Sequence, residues 1–152
     1  MKKRGIGFWA LQVPGWIGVA LLILGQGIAA IDYDLAVRMG TQDSAAMITE
    51  VGVAFFYGFA FGDLVVYIPL LVAGLVGHWM QRIWGTVLLA AALGITVYWP
   101  VVSLATVVAA GDAEGWNPAN VTAFWIALPP ITLWAAWGLW QLLQNRSQAA
   151  RA

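Results

Sequence analysis

Four apolar stretches, at residues 8–31, 51–77, 85–109 and 121–143, alternate with short polar segments along the 152-residue chain. A bilayer crossing takes roughly 20 predominantly apolar residues, so each stretch predicts a transmembrane helix and almost nothing is left for a soluble domain. The expected fold is an all-α integral membrane protein, a four-transmembrane-helix bundle forming a single membrane domain over residues 1–152. The first stretch follows Lys2, Lys3 and Arg4 and ends near the small residues Gly27 and Ala29, as a signal peptide would. It is longer than the roughly 7–15 residues of a signal peptide's apolar region, so it is read as a span. The connection from Asp32 to Glu50 is too long for a simple turn and predicts a short helix or cap. Asn117-Pro118, with Asn120 as N-cap, marks entry to the fourth helix.

Composition supports this reading. The chain is 62% hydrophobic and 9% charged, with a mean hydropathy of +0.81. Of its ten tryptophans, Trp9, Trp16, Trp79, Trp84, Trp116 and Trp125 fall where interfacial belts are expected. Cysteine is absent, which excludes disulfides and thiolate chemistry. Phosphate-loop, dinucleotide and zinc-ligand patterns are missing, as is a basic patch suited to nucleic acid. No cofactor and no metal are therefore expected. Charge segregation sets the orientation: Lys2, Lys3, Arg4, Arg82, Arg146 and Arg151 lie in the N-terminus, the second connection and the C-terminus. The other two connections hold Asp32, Asp34, Asp43, Glu50, Asp112 and Glu114, with Arg38 as their one cation. By the positive-inside rule both termini are cytoplasmic. The membrane is the cell (inner) membrane in a bacterium or the endoplasmic reticulum in a eukaryote.

One residue breaks the apolar pattern. Asp63 stands near the middle of the second span, where an ionised carboxylate costs about 2.5–3.5 kcal/mol even on insertion scales. It must be protonated, paired or bathed by a wet cavity, and an intramembrane acid is by default a functional group. Tyr67, four residues on, shares its helical face and is placed to donate to it. Ala54, Gly58 and Gly62 form a small-residue strip on the opposite face, read as helix packing.

Pro69, Pro100 and Pro129-Pro130 interrupt the second, third and fourth helices. Each removes a backbone donor, orphaning the carbonyls of Val65, Thr96, Trp125 and Ile126. Proline-kinked helices predict a bundle splayed around a cavity, with Tyr57, Tyr67, Thr96, Tyr98, Trp99, Ser103 and Trp125 as candidate wall residues. At the end of the first helix Asp32 and Asp34 flank Tyr33, and paired acids can share a proton. Solvation is the simpler role for them, with Arg38 as counter-ion to Asp34 four residues earlier.

The order of these features resembles the EXPERA-domain membrane proteins, the group of the sigma-2 receptor and the emopamil-binding sterol isomerase. The resemblance rests on Asp34-Leu35 at the end of the first helix, on Asp63-Leu64 with Pro69 six residues after the acid, and on Pro100 and Pro129. It implies four helices with cytoplasmic termini, and it implies that Asp34 and Asp63 meet in a hydrophobic pocket open to the membrane that holds cationic amphiphiles or sterol-like ligands. The isomerase branch also uses a histidine for proton transfer, whereas the single histidine, His78, falls at the cytoplasmic end of the second helix. That departure argues against sterol isomerisation.

The leading expectation is a protein that binds a lipid-, sterol- or amine-like small molecule between its helices, with Asp63, Asp34, Tyr67, Asp32, Tyr57, Thr96, Tyr98, Trp99 and Trp125 as ligand-binding residues. An isomerase-like enzyme on a lipid or isoprenoid, with Asp63 and Asp34 moving a proton, is the first alternative. An accessory subunit docking through its glycine strips and tryptophans is the second, and a proton or ion pathway a weaker third because no relay accompanies Asp63. His78 could ligate one pigment or metal, although an interfacial histidine is more often solvated. Expected partners are a lipid-like or cationic amphiphilic small molecule, membrane lipids and, as an option, a second copy in a homodimer, with no nucleic acid.

Overall fold

In the computed structural model residues 4–149 are described, with side chains to residue 144. Lys2, Lys3 and Arg151, which carry part of the orientation argument, lie outside the described residues, and Arg146 lies outside the described side chains. The described chain is helical, and four of its helices are long and apolar enough to cross a membrane: α1 (Ile6–Ile31), α3 (Ala45–Trp79), α4 (Ile83–Ala109) and α5 (Val121–Gln144 within the span). The protein is a multi-pass integral membrane protein.

The expected cap in the first long connection is α2 (Tyr33–Arg38), a short helix whose N-cap, Asp32, accepts the Leu35 backbone N–H at 2.8 Å. Asp32 also pairs with Arg38 at 3.9 Å. The expected Asp34–Arg38 pair is thus replaced, because the acid at the cap is the one whose carboxylate turns back along the helix. α3 begins at Ala45, earlier than residue 51, but its backbone breaks at Thr49, where φ is 67° and ψ is 166°. This is a costly conformation for a β-branched residue. The Thr49 hydroxyl accepts the Gly52 N–H at 3.3 Å, so Thr49 caps the membrane-spanning part of α3 and the apolar run starts where its pattern predicts.

One end of the bundle is tightly packed. Arg4 donates to the Trp79 carbonyl at 3.1 Å, and Gly7 lies against the Gln141 side chain. The three-residue turn between α3 and α4 places Gln81 in the left-handed region at φ 56°. There Gly77 and Gly85 bring the two backbones into direct contact, and a Cβ on Gly74 would stand 2.6 Å from the Leu89 nitrogen. Leu11, Leu71, Leu75, Leu89, Leu93 and Leu142 fill the space between all four spans at this end. Toward the other end the buried cluster is a small one of alanines, Ala29, Ala30, Ala36 and Ala60, with Ile48, Val107 and Leu128 buried outside it. The glycines that bring helix backbones together are Gly74, Gly77 and Gly85 rather than the expected strip: nothing lies within 4 Å of a Cβ built on Gly58 or Gly62.

Pro14, Pro100, Pro129 and Pro130 lie inside continuous helical backbone. Pro14 cannot donate to the Ala10 carbonyl four residues earlier, and the Trp134 indole N–H donates to that carbonyl instead, at 2.8 Å, tying α5 to α1. Trp134→Phe is expected to lower stability by about 1 kcal/mol. In a Pro14→Ala background, where residue 14 supplies its own N–H, the same change is expected to cost almost nothing. A double-mutant cycle measured by unfolding in detergent checks this, and equal costs in both backgrounds would refute it.

Candidate functional site

The site begins with two departures from α-helical geometry at the same depth. Residues Ile23–Gly27 of α1 and Asp63–Tyr67 of α3 form π-helical turns that touch each other. In α3 the cause is legible: Pro69 has no N–H and its ring presses on the preceding turn, and the Ile68 N–H bonds the Asp63 carbonyl in the wider π register. The extra residue in that turn changes which side chains share a face. Tyr67 turns to α4, where its hydroxyl meets the Thr96 hydroxyl at 2.5 Å. Thr96 donates to the Ala92 carbonyl at 2.9 Å, so Tyr67 is the donor of the pair. The expected Tyr67–Asp63 hydrogen bond is therefore not the one formed.

The Asp63 side chain makes no hydrogen bond or ion pair among the described residues, and the residue lines two spaces. The first, about 130 Å³, runs from Thr41, Gln42 and Trp116 in the loops down to Asp63, with Gln26, Ser103 and Thr106 along it. The second, about 610 Å³, is a lateral groove between α3 and α4 floored by Ala54, Gly58 and Gly62 and bounded by Tyr98 and Trp99. A third space, about 530 Å³, opens laterally along α1 between Pro14 and Gln26 and is closed by Tyr67, Thr96, Trp99 and Trp134. Trp99 lines all three. Its indole Nε1 is buried beside the Tyr67 hydroxyl without a well-formed hydrogen bond among the described residues, a costly state that a polar group at this wall would relieve. Among the described residues no Lys or Arg side chain lines any of the three spaces.

The expected site residues separate into two groups. Asp63, Tyr67, Thr96, Tyr98, Trp99 and Ser103 converge on these spaces. Asp34 and Asp32 do not: both are exposed on α2 or its cap, and neither lines a space that Asp63 lines. Tyr57 points outward and stacks on Phe61, while Trp125 is 49% exposed on the outer face of α5. Gln26 and Gln42 join the site from outside the expected set. The signal was present, since Gln26 is an amide flanked by Gly25 and Gly27 within an apolar run.

The loop end forms a cover over the narrow space. Gln42 Nε2 donates to the Gly25 carbonyl at 3.3 Å and to Gln26 Oε1 at 3.5 Å. Asp43 accepts the Ala119 N–H at 3.2 Å, and Asn117 N–H reaches the Met47 carbonyl at 2.7 Å, so the two connections are tied together. The Tyr33 hydroxyl donates to the Asp43 carbonyl at 3.1 Å; burial, reinforced by the Asp43 charge, pushes it up to about 12 and keeps it a donor. At the packed end His78 is not simply solvated. Its ring stacks on Phe8 and its Nδ1 lies 3.0 Å from the buried Gln12 amide nitrogen.

No family model, curated protein or solved structure matches the chain. The functional reading consequently rests on the site. Among the described residues no three His, Asp or Glu side chains converge as metal ligands would. What remains is one carboxylate, one orphaned indole N–H and a set of neutral hydroxyls and amides, opening to the loop side and to the bilayer.

Proposed function

We propose that this protein binds an amphiphilic small molecule within the membrane, with Asp63 receiving its amine or hydroxyl group and the lateral grooves receiving its apolar part. The observation that carries the reading is the Asp63 side chain, unpaired among the described residues, in a residue that lines both the narrow space leading to the loops and a groove open to lipid. An unpaired charge there costs about 2.5–3.5 kcal/mol, and a ligand cation or donor recovers that cost in a low-dielectric setting where such contacts are strong. Trp99 Nε1 supplies a donor for a ligand oxygen at the same junction. The sidedness that fits the charge pattern places the packed end, with Arg4 and Arg82, in the cytoplasm and the covered loop end outside.

The ligand class coincides with what the resemblance to EXPERA-domain proteins implies, although the support comes from Asp63, Trp99 and Gln26 rather than from an Asp34–Asp63 pair. Proton transfer between two carboxylates would need Asp34 at the site, and Asp34 is exposed elsewhere. Binding is accordingly favoured over turnover. Asp63→Asn is expected to leave the bundle folded and to weaken binding of a long-chain alkylamine at least tenfold, measured in lipid nanodiscs. Wild-type affinity in the variant would overturn the proposal.

A further inference from the structure

The three spaces share Trp99 as a wall and differ in shape and chemistry, and their arrangement restricts the ligand further. The narrow space is the smallest and the most polar of the three, setting Asp63, Gln26 and Gln42 among aromatic side chains, with room for a small head group. The two lateral spaces are several times larger and bounded mainly by apolar side chains, one along α1 and one between α3 and α4. Between them stands the Tyr67–Thr96 hydrogen bond, with Tyr67 lining both grooves. An amphiphile whose head sits in the narrow space between Gln26 and Asp63 thus has an apolar groove on either side, since Gln26 also lines the groove along α1 and Asp63 the groove between α3 and α4.

Building on the reading of Asp63 as an anchor, we infer that the ligand is a lipid with two hydrocarbon chains and a small head bearing hydroxyl or amine groups but no phosphate. Charge complementarity selects the head. Among the described residues the narrow space is lined by one acid and no cation, so an anionic head would meet Asp63 with nothing to offset the repulsion, whereas a hydroxyl or amine donates to Asp63 and an ester or amide carbonyl accepts from Trp99 Nε1. The two grooves select the tail, one chain on each side of the Tyr67–Thr96 pair. Glycines make room for both: Gly18 and Gly25 face the groove along α1, Gly58 and Gly62 face the groove between α3 and α4, and a Cβ on any of the four meets no atom within 4 Å.

Those glycines also provide the test, because side chains can be added there without displacing anything already packed. Gly18→Phe and Gly58→Phe fill one groove each, and Gly18→Leu and Gly58→Leu repeat the test with a smaller plug should a phenylalanine variant fail to fold. Native mass spectrometry of wild type and variants would use four probes: ceramide, diacylglycerol, the single-chain amine sphingosine, and phosphatidic acid. One ceramide or diacylglycerol per chain is expected, preferred at least tenfold over phosphatidic acid. Each plug is expected to weaken the two-chain probes tenfold or more while leaving sphingosine within about threefold of wild type. Two-chain binding that ignores either plug, or fails to exceed phosphatidic acid while sphingosine binding still depends on Asp63, overturns this inference and spares the anchor. Loss of no probe in Asp63→Asn overturns the anchor itself.

Discussion

Gly85→Ala is expected to lower the stability of the folded bundle by about 3 kcal/mol or more, enough to remove most folded protein from a detergent preparation. At the turn between α3 and α4 the backbones of Gly77 and Gly85 touch, and a methyl group on Gly85 would overlap the Gly77 main chain and the His78 nitrogen. Backbone has no rotamer through which to retreat. The helices would have to separate, and Leu71, Leu75, Leu89 and Leu93, which are packed around this crossing, would lose contact with it. Gly77→Ala should do the same, since its methyl would meet Gly85 and the Trp84 ring. Gly58→Ala is the control: its methyl enters open space, and alanine is the better helix former by roughly 0.5–1 kcal/mol. Denaturant titration of all three variants checks the contrast, and a Gly85→Ala protein as stable as Gly58→Ala would contradict the crossing.

That contrast also marks where a linear pattern stops being informative. The four spans, their number and their approximate limits follow from hydropathy alone, because bilayer thickness imposes a length that the chain must meet. Which small residues pack is a different matter. Ala54, Gly58 and Gly62 form a regular strip at four-residue spacing, yet they face a groove, whereas Gly74, Gly77 and Gly85 lie on two helices and meet only after the turn at Gln81 folds α4 back on α3. Spacing within one helix cannot reveal a contact that exists between two.

The site divides in the same way. Asp63 was legible because its burial is so costly that its presence in an apolar run needs a reason. Its neighbours were harder to read, because helical periodicity assumes 3.6 residues per turn and the π turn at Asp63–Tyr67 adds a residue to that count. Tyr67 therefore bonds Thr96 instead of the acid on its own helix. Gln26 reaches the site through a second π turn, for which Gly25 and Gly27 were the visible hint. Trp99 and Ser103, expected on the cavity wall as polar or aromatic residues, line spaces that Asp63 also lines, and Thr96 lines the groove along α1, because α4 is the helix against which α3 folds back.

The second large effect is expected far from that site. Gln12 is 1% exposed and its amide serves three partners: Trp16 Nε1 donates to Oε1 at 3.1 Å, and Nε2 donates to the Leu75 carbonyl and to His78 Nδ1, both at 3.0 Å. Indole nitrogen can only donate, which fixes the amide's orientation and makes His78 Nδ1 an acceptor. The histidine must then carry its proton on Nε2, and a doubly protonated ring would set two donors against each other. Replacing Gln12 by leucine preserves size but removes all three bonds. At about 0.6 kcal/mol for each side-chain bond inside a membrane protein, the expected loss is about 2 kcal/mol. The partners left behind decide the outcome: Trp16 can turn its N–H toward the interface, but His78 is held against Phe8 and half-buried, so its nitrogen stays unsatisfied. Gln12→Leu combined with His78→Phe should accordingly be more stable than the two single costs added together. A double-mutant cycle by denaturant unfolding that shows strict additivity would mean that Gln12 and His78 are not coupled.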